Sequence, residues 1–333
     1  MSVQHKILIA LSDGKFHSGE QLASAVGLTR AAIWKNIKVL QTEYGLDIHA
    51  VSGRGYQLSQ PIELLNSSEI KKELINRSAE VMTPVVETLI SIDSTNRYLM
   101  QKMLSDNERC HVAFAEYQTA GRGRQGRTWV SPFGASLYFS VLYRFQRAPR
   151  DITGLSLAIG VAIVEYLQQA GIESASLKWP NDILVAGRKL CGILLELQGE
   201  SHGPCSVVVG IGFNLTMPEE AGKMIDQPWI AYDSLRATPV SRNVLAGRLL
   251  ANVLLTLNEF ELKGLEPFRE RWLQWDGYMN STVVLQLGDR EVNGIARGID
   301  QQGALLLESD GQTQRYYSGE IRNLRHRAEL NDG

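Results

Sequence analysis

The chain has 333 residues, 44% of them hydrophobic and 21% charged, with a formal net charge of −2. That is the make-up of a soluble globular protein of two or three domains, each able to bury a core. Near-zero net charge leaves any nucleic-acid affinity to a local basic patch. Cys110, Cys191 and Cys205 form neither a CxxC pair nor an even framework, so they read as reduced thiols with no metal site. The apolar opening Ile7-Leu8-Ile9-Ala10-Leu11 stops at Ser12-Asp13, too short for a signal peptide or a membrane span. A cytoplasmic chain without membrane contact is expected.

Residues 1–60 read as a winged helix-turn-helix DNA-binding domain. Ile7, Leu8 and Leu11 give a first apolar face, and Ser18 is placed to cap a helix over 20–26. Gly27 breaks that helix, and Thr29 caps a second one in which Ile33, Ile37 and Leu40 form the buried stripe. Its outer face carries Arg30, Trp34, Lys35 and Lys38 with no acid before Gln41, as major-groove docking requires. A strand near 47–51, the turn Gly53-Arg54-Gly55 and a strand over 56–58 make the wing, and Arg54 joins the candidate DNA contacts. A packing module with a merely solvated charged face is the competing reading, since this segment holds only six Lys/Arg against four Asp/Glu.

Ser59-Gln60-Pro61 reads as a linker to a domain over 66–275. After a short helix near 68–75, a strand at 90–92 ends in the polar cluster Asp93-Ser94-Thr95-Asn96, a natural N-cap for a helix through Met103. A strand at 112–117 then leads into Gly-Arg-Gly-Arg-Gln-Gly-Arg (121–127). Its glycines allow close backbone approach and its arginines bring permanent charge in a planar fork. From Gln118 to Arg150 there is no Asp or Glu, while six arginines occur. The spacing matches the dinucleotide fingerprint, but Pro132 and Gly134 forbid the required helix and no acid for the ribose follows before Asp151. Walker and kinase loops fail on their missing partner residues. An anion site remains, beside the blander readings of a solvated basic loop or an RNA-binding tract.

Further along, a strand is expected at 137–143, the longest apolar helix at 155–169, and strands at 176–179, 183–185, 189–197 and 207–215. Helices over 243–262 and 267–275 follow, so hairpin strands with helices gathered to one side give an α+β domain, not a doubly wound one. Short strands at 282–287, 291–299, 304–308, 313–317 and 321–324 suggest a small C-terminal barrel of SH3-like size, over 276–326.

Three polar islands sit at strand ends of the central domain: Ser94-Thr95-Asn96, Gln118 with the arginine loop, and the segment from Lys178 to Lys189. Brought together, they would pair an uncharged hydrogen-bonding corner with a cationic one, suited to carboxylate activation by ATP. Lys189 could equally be a surface lysine, Asn181 and Asp182 turn residues, and Trp129 core or a stacking face. No Ser-His-Asp or Cys-His set stands out.

Gly-Arg-Gly-Arg-Gln-Gly-Arg (121–127), Lys-Trp-Pro-Asn-Asp (178–182), Arg-Lys-Leu-Cys-Gly-Ile-Leu-Leu-Glu (188–196) and Gly-Ile-Gly-Phe-Asn-Leu (210–215) resemble the biotin–protein ligase family. The N-terminal module and Gly-Ile-Asp-Gln-Gln-Gly-Ala-Leu-Leu-Leu-Glu (298–308) extend the resemblance over nearly the whole chain, to ligases that also repress the biotin operon. It implies a class II synthetase-like central domain with a mixed sheet. It further implies formation of biotinyl-5′-AMP from biotin and MgATP, then transfer of biotin to a lysine of the biotin carboxyl carrier protein of acetyl-CoA carboxylase. By motif position, Ser94, Thr95, Asn96 and Gln118 would surround the biotin ureido group. Arg122, Gly123 and Arg124 would cover the carboxylate and phosphate, with Lys189 and Arg124 catalytic. Trp129 and Asn214 would contact adenine, while Gly192, Gly210 and Gly212 let ligand lie close to the strands. The resemblance implies no protein metal site, and adds operator DNA and an adenylate-bound homodimer as partners. Gln125 stands where the family often has a further arginine. A lipoate–protein ligase, or a ligand-sensing regulator without turnover, are the alternatives.

Overall fold

The computed structural model describes residues 2–77, 83–102, 104, 108–199 and 203–323. Met103 and residues 324–326, the end of the expected C-terminal barrel, lie outside the described residues. At the N-terminus, α1 (Val3–Leu11), α2 (Gly19–Val26) and α3 (Arg30–Glu43) precede a hairpin of β1 (Ile48–Val51) and β2 (Gly55–Leu58). Ser18 and Gln21 form a reciprocal capping box on α2, and the Thr29 hydroxyl accepts the Ala32 N–H at the start of α3. Ile7, Leu8, Leu11, Leu22, Ile33, Ile37 and Leu40 bury against one another, and Phe133 from the central domain joins the same cluster.

The linker is fastened down. Glu63 accepts hydrogen bonds from Ser241 Oγ at 2.6 Å, the Arg242 N–H at 2.7 Å and Asn243 Nδ2 at 2.8 Å. Just beyond, the buried carboxylate of Glu116 meets the Arg242 guanidinium at 2.8 Å and accepts the Leu65 N–H at 2.5 Å.

The central domain comprises α4 (Ser67–Arg77), β3 (Val85–Ile92), α5 (Thr95–Met100), β4 (Cys110–Gln118), β5 (Ser136–Phe145), α6 (Leu155–Gln169), β6 (Ala175–Lys178), β7 (Asp182–Val185), β8 (Arg188–Gly199), β9 (Cys205–Asn214), α7 (Glu219–Gly222), α8 (Arg242–Lys263) and α9 (Glu266–Trp275). Its seven strands run β3-β4-β5-β9-β8-β7-β6, with β3 and β4 parallel and every other pair antiparallel, so the sheet is mixed. Alternation along β9 separates the two faces: Val207, Val209, Ile211 and Phe213 bury in the main core with α6 and α8. Val208 packs on the opposite side with Leu99 of α5, and Gly210, Gly212 and Asn214 share that face. The helices are therefore not all gathered to one side: α5 occupies the far face, leaving the remainder open for the cleft. By length and composition the stretch Pro149–Gln169, which ends in α6, could cross a membrane, but α6 is the buried core helix, packed on α8, α9 and β6.

Most expected strands and helices are present with ends shifted by a residue or two; β3 starts five residues before the expected strand, and α5 ends at Met100 and not at Met103. The last five strands, β10 (Thr282–Leu287), β11 (Arg290–Ile299), β12 (Leu305–Ser309), β13 (Gln312–Tyr316) and β14 (Glu320–Asn323), form an antiparallel sheet of order β13-β12-β11-β10-β14.

Candidate active site

The cleft, of about 1080 Å³, lies on the glycine-bearing face of the central sheet. Its walls are the end of α3 (Thr42, Tyr44), the 121–132 loop, strands β7 to β9, and Gly319-Glu320 at the start of β14. All three segments of the chain thus reach one cavity.

At the neutral end, the backbone N–H and hydroxyl of Thr95 reach Gln118 Oε1 at 2.9 and 3.2 Å, and Gln118 Nε2 donates to Ser131 Oγ at 3.0 Å. Buried Ser140 Oγ lies 2.7 Å from Thr95 Oγ1 and 2.6 Å from Asn96 Oδ1. Asn96 Nδ2 donates to Glu196 Oε2 at 2.8 Å. Ser94 occupies the N-cap position of α5, but its side chain makes no cap hydrogen bond. Buried polar groups satisfied in this way form a rigid corner aimed into the cleft.

The strand glycines have a structural occupant. A Cβ at Gly210 would overlap the Asn96 amide, and one at Gly212 would overlap the Trp129 indole, whose six-membered ring also lies over Gly192. The missing side chains on β8 and β9 seat Asn96 and Trp129 against the sheet. Trp129 Nε1 is buried without a hydrogen-bond partner, a free donor inside the site.

At the cationic end, Lys189 Nζ sits 2.8 Å from Asp182 Oδ1 and 5.4 Å from the Trp129 ring centroid. Pairing of β7 with β8 brings the two residues together, and Asn214 Nδ2 steadies the Lys189 carbonyl at 3.3 Å. Arg122 pairs with Glu196 at 3.1 Å, tying the arginine loop back to the neutral corner. Among the described residues Arg124 hydrogen-bonds to neutral acceptors alone, Asn181 Oδ1 and the Gly319 carbonyl, each at 3.4 Å. Burial holds its guanidinium below the usual arginine range, with Asp182 and Glu320 pulling the other way. Arg127 Nη1 donates to Glu320 at 2.8 Å, fixing the loop to the C-terminal sheet. Gln125 sits at φ 55°, in the left-handed region, and is exposed.

The structure gathers Ser94, Thr95, Asn96, Gln118, Arg122, Gly123, Arg124, Trp129, Lys189, Gly192, Gly210 and Gly212 around one cleft. Asn214 is buried beside it. Ser140, Glu196 and Glu320 were not singled out from the sequence, because each acts through a partner more than 40 residues away, and Asn181, read as a turn residue, likewise meets Arg124. Among the described residues no group of three or more His, Cys, Asp or Glu could hold a metal ion. In the N-terminal domain, Arg30, Trp34, Lys35 and Lys38 are exposed along α3, and exposed Arg54 stacks over Phe16 at 4.0 Å.

Comparison with known proteins accounts for all three segments. The biotin/lipoate A/B protein ligase family model matches residues 88–214, the biotin protein ligase C terminal domain 278–322, and a helix-turn-helix domain 3–57. The chain is 42% identical over 322 residues to the bifunctional ligase/repressor BirA of Escherichia coli (strain K12), covering 96% of this chain and 97% of that protein. It is 34% identical over 252 residues to the biotin–[acetyl-CoA-carboxylase] ligase of Mycobacterium tuberculosis, covering 72% of this chain and 89% of that one. Among solved structures it is similar to the biotin protein ligase from Aquifex aeolicus in complex with biotin and ATP, at 26% identity and a TM-score of 0.59. That match covers 72% of this chain and 97% of that one.

Proposed function

This chain belongs to the BirA family of bifunctional ligase/repressors, and on that premise we propose how its residues divide the work. It is an ATP-dependent biotin–protein ligase joined to a helix-turn-helix repressor domain, with biotin and ATP as substrates. Biotinyl-5′-AMP is the intermediate and the corepressor.

In our reading the Thr95–Gln118–Ser140–Asn96 corner takes the biotin ureido ring, whose paired N–H and C=O groups need fixed partners of both kinds. Ser94 completes that wall. Lys189 steadies the biotin carboxylate and the α-phosphate it attacks. Arg122, Gly123 and Arg124 close over both, and Trp129 offers its ring and free Nε1 to adenine beside Asn214. Gly192, Gly210 and Gly212 keep the sheet surface low enough for this arrangement. Mg²⁺ would arrive on the ATP phosphates, which suits a cleft whose nearest carboxylates are already paired with Lys189 and Arg127.

The observation that carries the reading is the Lys189 ammonium, held by Asp182 at 2.8 Å and facing Trp129, beneath the arginine loop. A preorganised cation next to an aromatic face is what an adenylating site needs, since negative charge grows on the transferring phosphoryl group. ATP-dependent pyrophosphate release, measured with biotin and lipoate side by side, tests it. Release with biotin alone is expected; turnover of lipoate instead would reassign the substrate.

We read the central sheet as class II synthetase-like and the C-terminal strands as an SH3-like barrel. The same reading makes operator DNA the partner of α3 and the wing, through Arg30, Trp34, Lys35, Lys38 and Arg54. It makes the biotin carboxyl carrier protein of acetyl-CoA carboxylase the acceptor, and a homodimer the repressing form. The outer half of β8 supports the last point: among the described residues its Leu194–Gly199 stretch forms a strand ladder with β9 alone, and Leu197 is exposed there. A strand edge free of a neighbouring strand is suited to a second copy.

A further inference from the structure

We propose that Glu63 is a positioning residue for operator recognition. Held at the N-terminus of α8 beside Arg242, it sets the angle at which each half of the dimer presents its winged helix to DNA. The proposal rests on the dimeric repressor reading above and names the part of the ligase domain that operator binding needs.

Residues 61–66 form neither strand nor helix, yet each of residues 62–66 is held in place. The first anchors belong to the winged helix: the Ser59 N–H donates to the Asp47 carbonyl at 2.9 Å, and the Ile62 N–H to the Ser12 carbonyl at 3.0 Å. From Glu63 on, the partners change sides. Its carboxylate takes the Ser241, Arg242 and Asn243 donors at the start of α8, where unpaired N–H groups and the helix dipole favour a negative charge. Burial pushes the Glu63 carboxyl up, but the Ser241 and Asn243 hydrogen bonds outweigh it and hold it below the usual carboxylate range. The Arg242 guanidinium donates to the Glu63 carbonyl at 2.6 Å. Asn243 donates to the Leu64 carbonyl at 3.0 Å and accepts the Asn66 N–H at 2.7 Å. The chain passes from one domain's anchors to the other's between Ile62 and Glu63.

Arg242 braces a second connection as well. It pairs with Glu116 at 2.8 Å and donates to the Ser136 carbonyl at 3.2 Å, while the Glu116 carbonyl accepts the Gly134 N–H at 2.9 Å. Between these anchors lies the turn that carries Phe133 into the winged-helix core. Gly134 sits at φ 65°, and a Cβ there would come within 3.1 Å of Ile62. One arginine thus steadies both routes, linker and turn, that join the winged helix to the ligase domain.

Such anchoring matters when two half-sites must be read at once. The second winged helix adds affinity only as far as it already stands at the right distance and angle over its half-site. A free six-residue tether would dilute that gain and tolerate many spacings, while leaving each winged helix able to bind by itself. A strap fixed residue by residue concentrates the second contact at one spacing. Glu63 therefore acts on the reading of paired half-sites and not on the base contacts of either one.

The test uses the full-length chain with a non-hydrolysable adenylate analogue, and a duplex selected from random-sequence DNA by the wild type. Glu63 is exposed, so Glu63→Ala opens no cavity. It should weaken binding to the selected duplex by about tenfold and flatten the dependence on half-site spacing. Binding to the same duplex with one half-site scrambled, the monomer–dimer constant and biotin ligation should each stay within about twofold. Glu63→Gln keeps one acceptor oxygen for the α8 donors and should recover part of the loss. Equal losses on the intact and scrambled duplexes would mean a damaged winged helix and overturn the proposal. So would an unchanged spacing preference, or a loss traced to weaker dimerisation. A wild type that bound the intact duplex no better than the scrambled one would instead remove the dimeric reading itself.

Discussion

Among single side chains, Lys189 has the most at stake. Its removal deletes a fixed positive charge and strands Asp182 in a nearly closed wall, so Lys189→Gln should lower the rate of biotinyl-5′-AMP formation about a hundredfold, or ~3 kcal/mol in the barrier. A stopped-flow assay of the first half-reaction reads this directly, and a near-normal rate would refute the assignment. Arg124 predicts a different defect. Bound, among the described residues, to two neutral acceptors, it can move to an arriving phosphate without breaking an ion pair there. Its loss should cost retention of the adenylate by about 1.5–3 kcal/mol, more than its formation. Arg124→Gly should therefore leak biotinyl-5′-AMP and modify bystander lysines. An unchanged off-rate for the adenylate would remove the lid role.

For individual elements, the sequence showed most where chemistry is local. Ser18 and Thr29 announce the starts of α2 and α3, and α6 has the bounds that its apolar run predicts. It showed least where distant elements meet. The three glycines on β8 and β9 signal that something approaches the sheet, but only the fold reveals that Asn96 and Trp129 do so. Asn181 reads as a turn residue, yet it holds Arg124 and donates to the Ile193 carbonyl at 2.7 Å. The junction of α9 with β10 hides another such group. Asp276 accepts the Tyr278 N–H at 2.9 Å, while its second oxygen is buried and unpaired. Burial pushes its carboxyl up from 3.8 to about 6. The folded state then holds a proton that the unfolded chain has released, so the contribution to stability is full below pH ~4 and lost as pH rises through about 6. Asp276→Asn should flatten this window and raise stability at neutral pH by an amount of order 2 kcal/mol. Denaturant melts of both proteins between pH 4 and 7 would show it, and parallel pH profiles would contradict it.

At the scale of the whole molecule, DNA reader and ligase meet at the cleft through the end of α3. Deleting residues 1–60 should abolish DNA binding while leaving biotin ligation intact in kind, because the arginine loop, Lys189 and Trp129 all lie beyond it. A remnant that still bound DNA with the salt dependence of the full chain would contradict the assignment of α3. Ligand and DNA should also feel one another. If the adenylate favours the dimer by 1–3 kcal/mol, the usual size of such coupling, dimerisation changes about 5- to 150-fold and operator binding returns the same factor to the adenylate. Sedimentation with and without a non-hydrolysable adenylate analogue measures this, and an indifferent monomer–dimer constant would leave the two activities uncoupled. The seam between the domains carries a consequence for heredity. Phe133 comes from the central domain yet belongs to the winged-helix core, and Tyr44 lies 5.5 Å from both Phe133 and Tyr117 by ring centroids. A crossover in the linker that brought in an unrelated DNA reader would leave Phe133 and Tyr117 without their partner and the newcomer with a hole. New operators are therefore easier to acquire by changing the outer face of α3 than by exchanging the module.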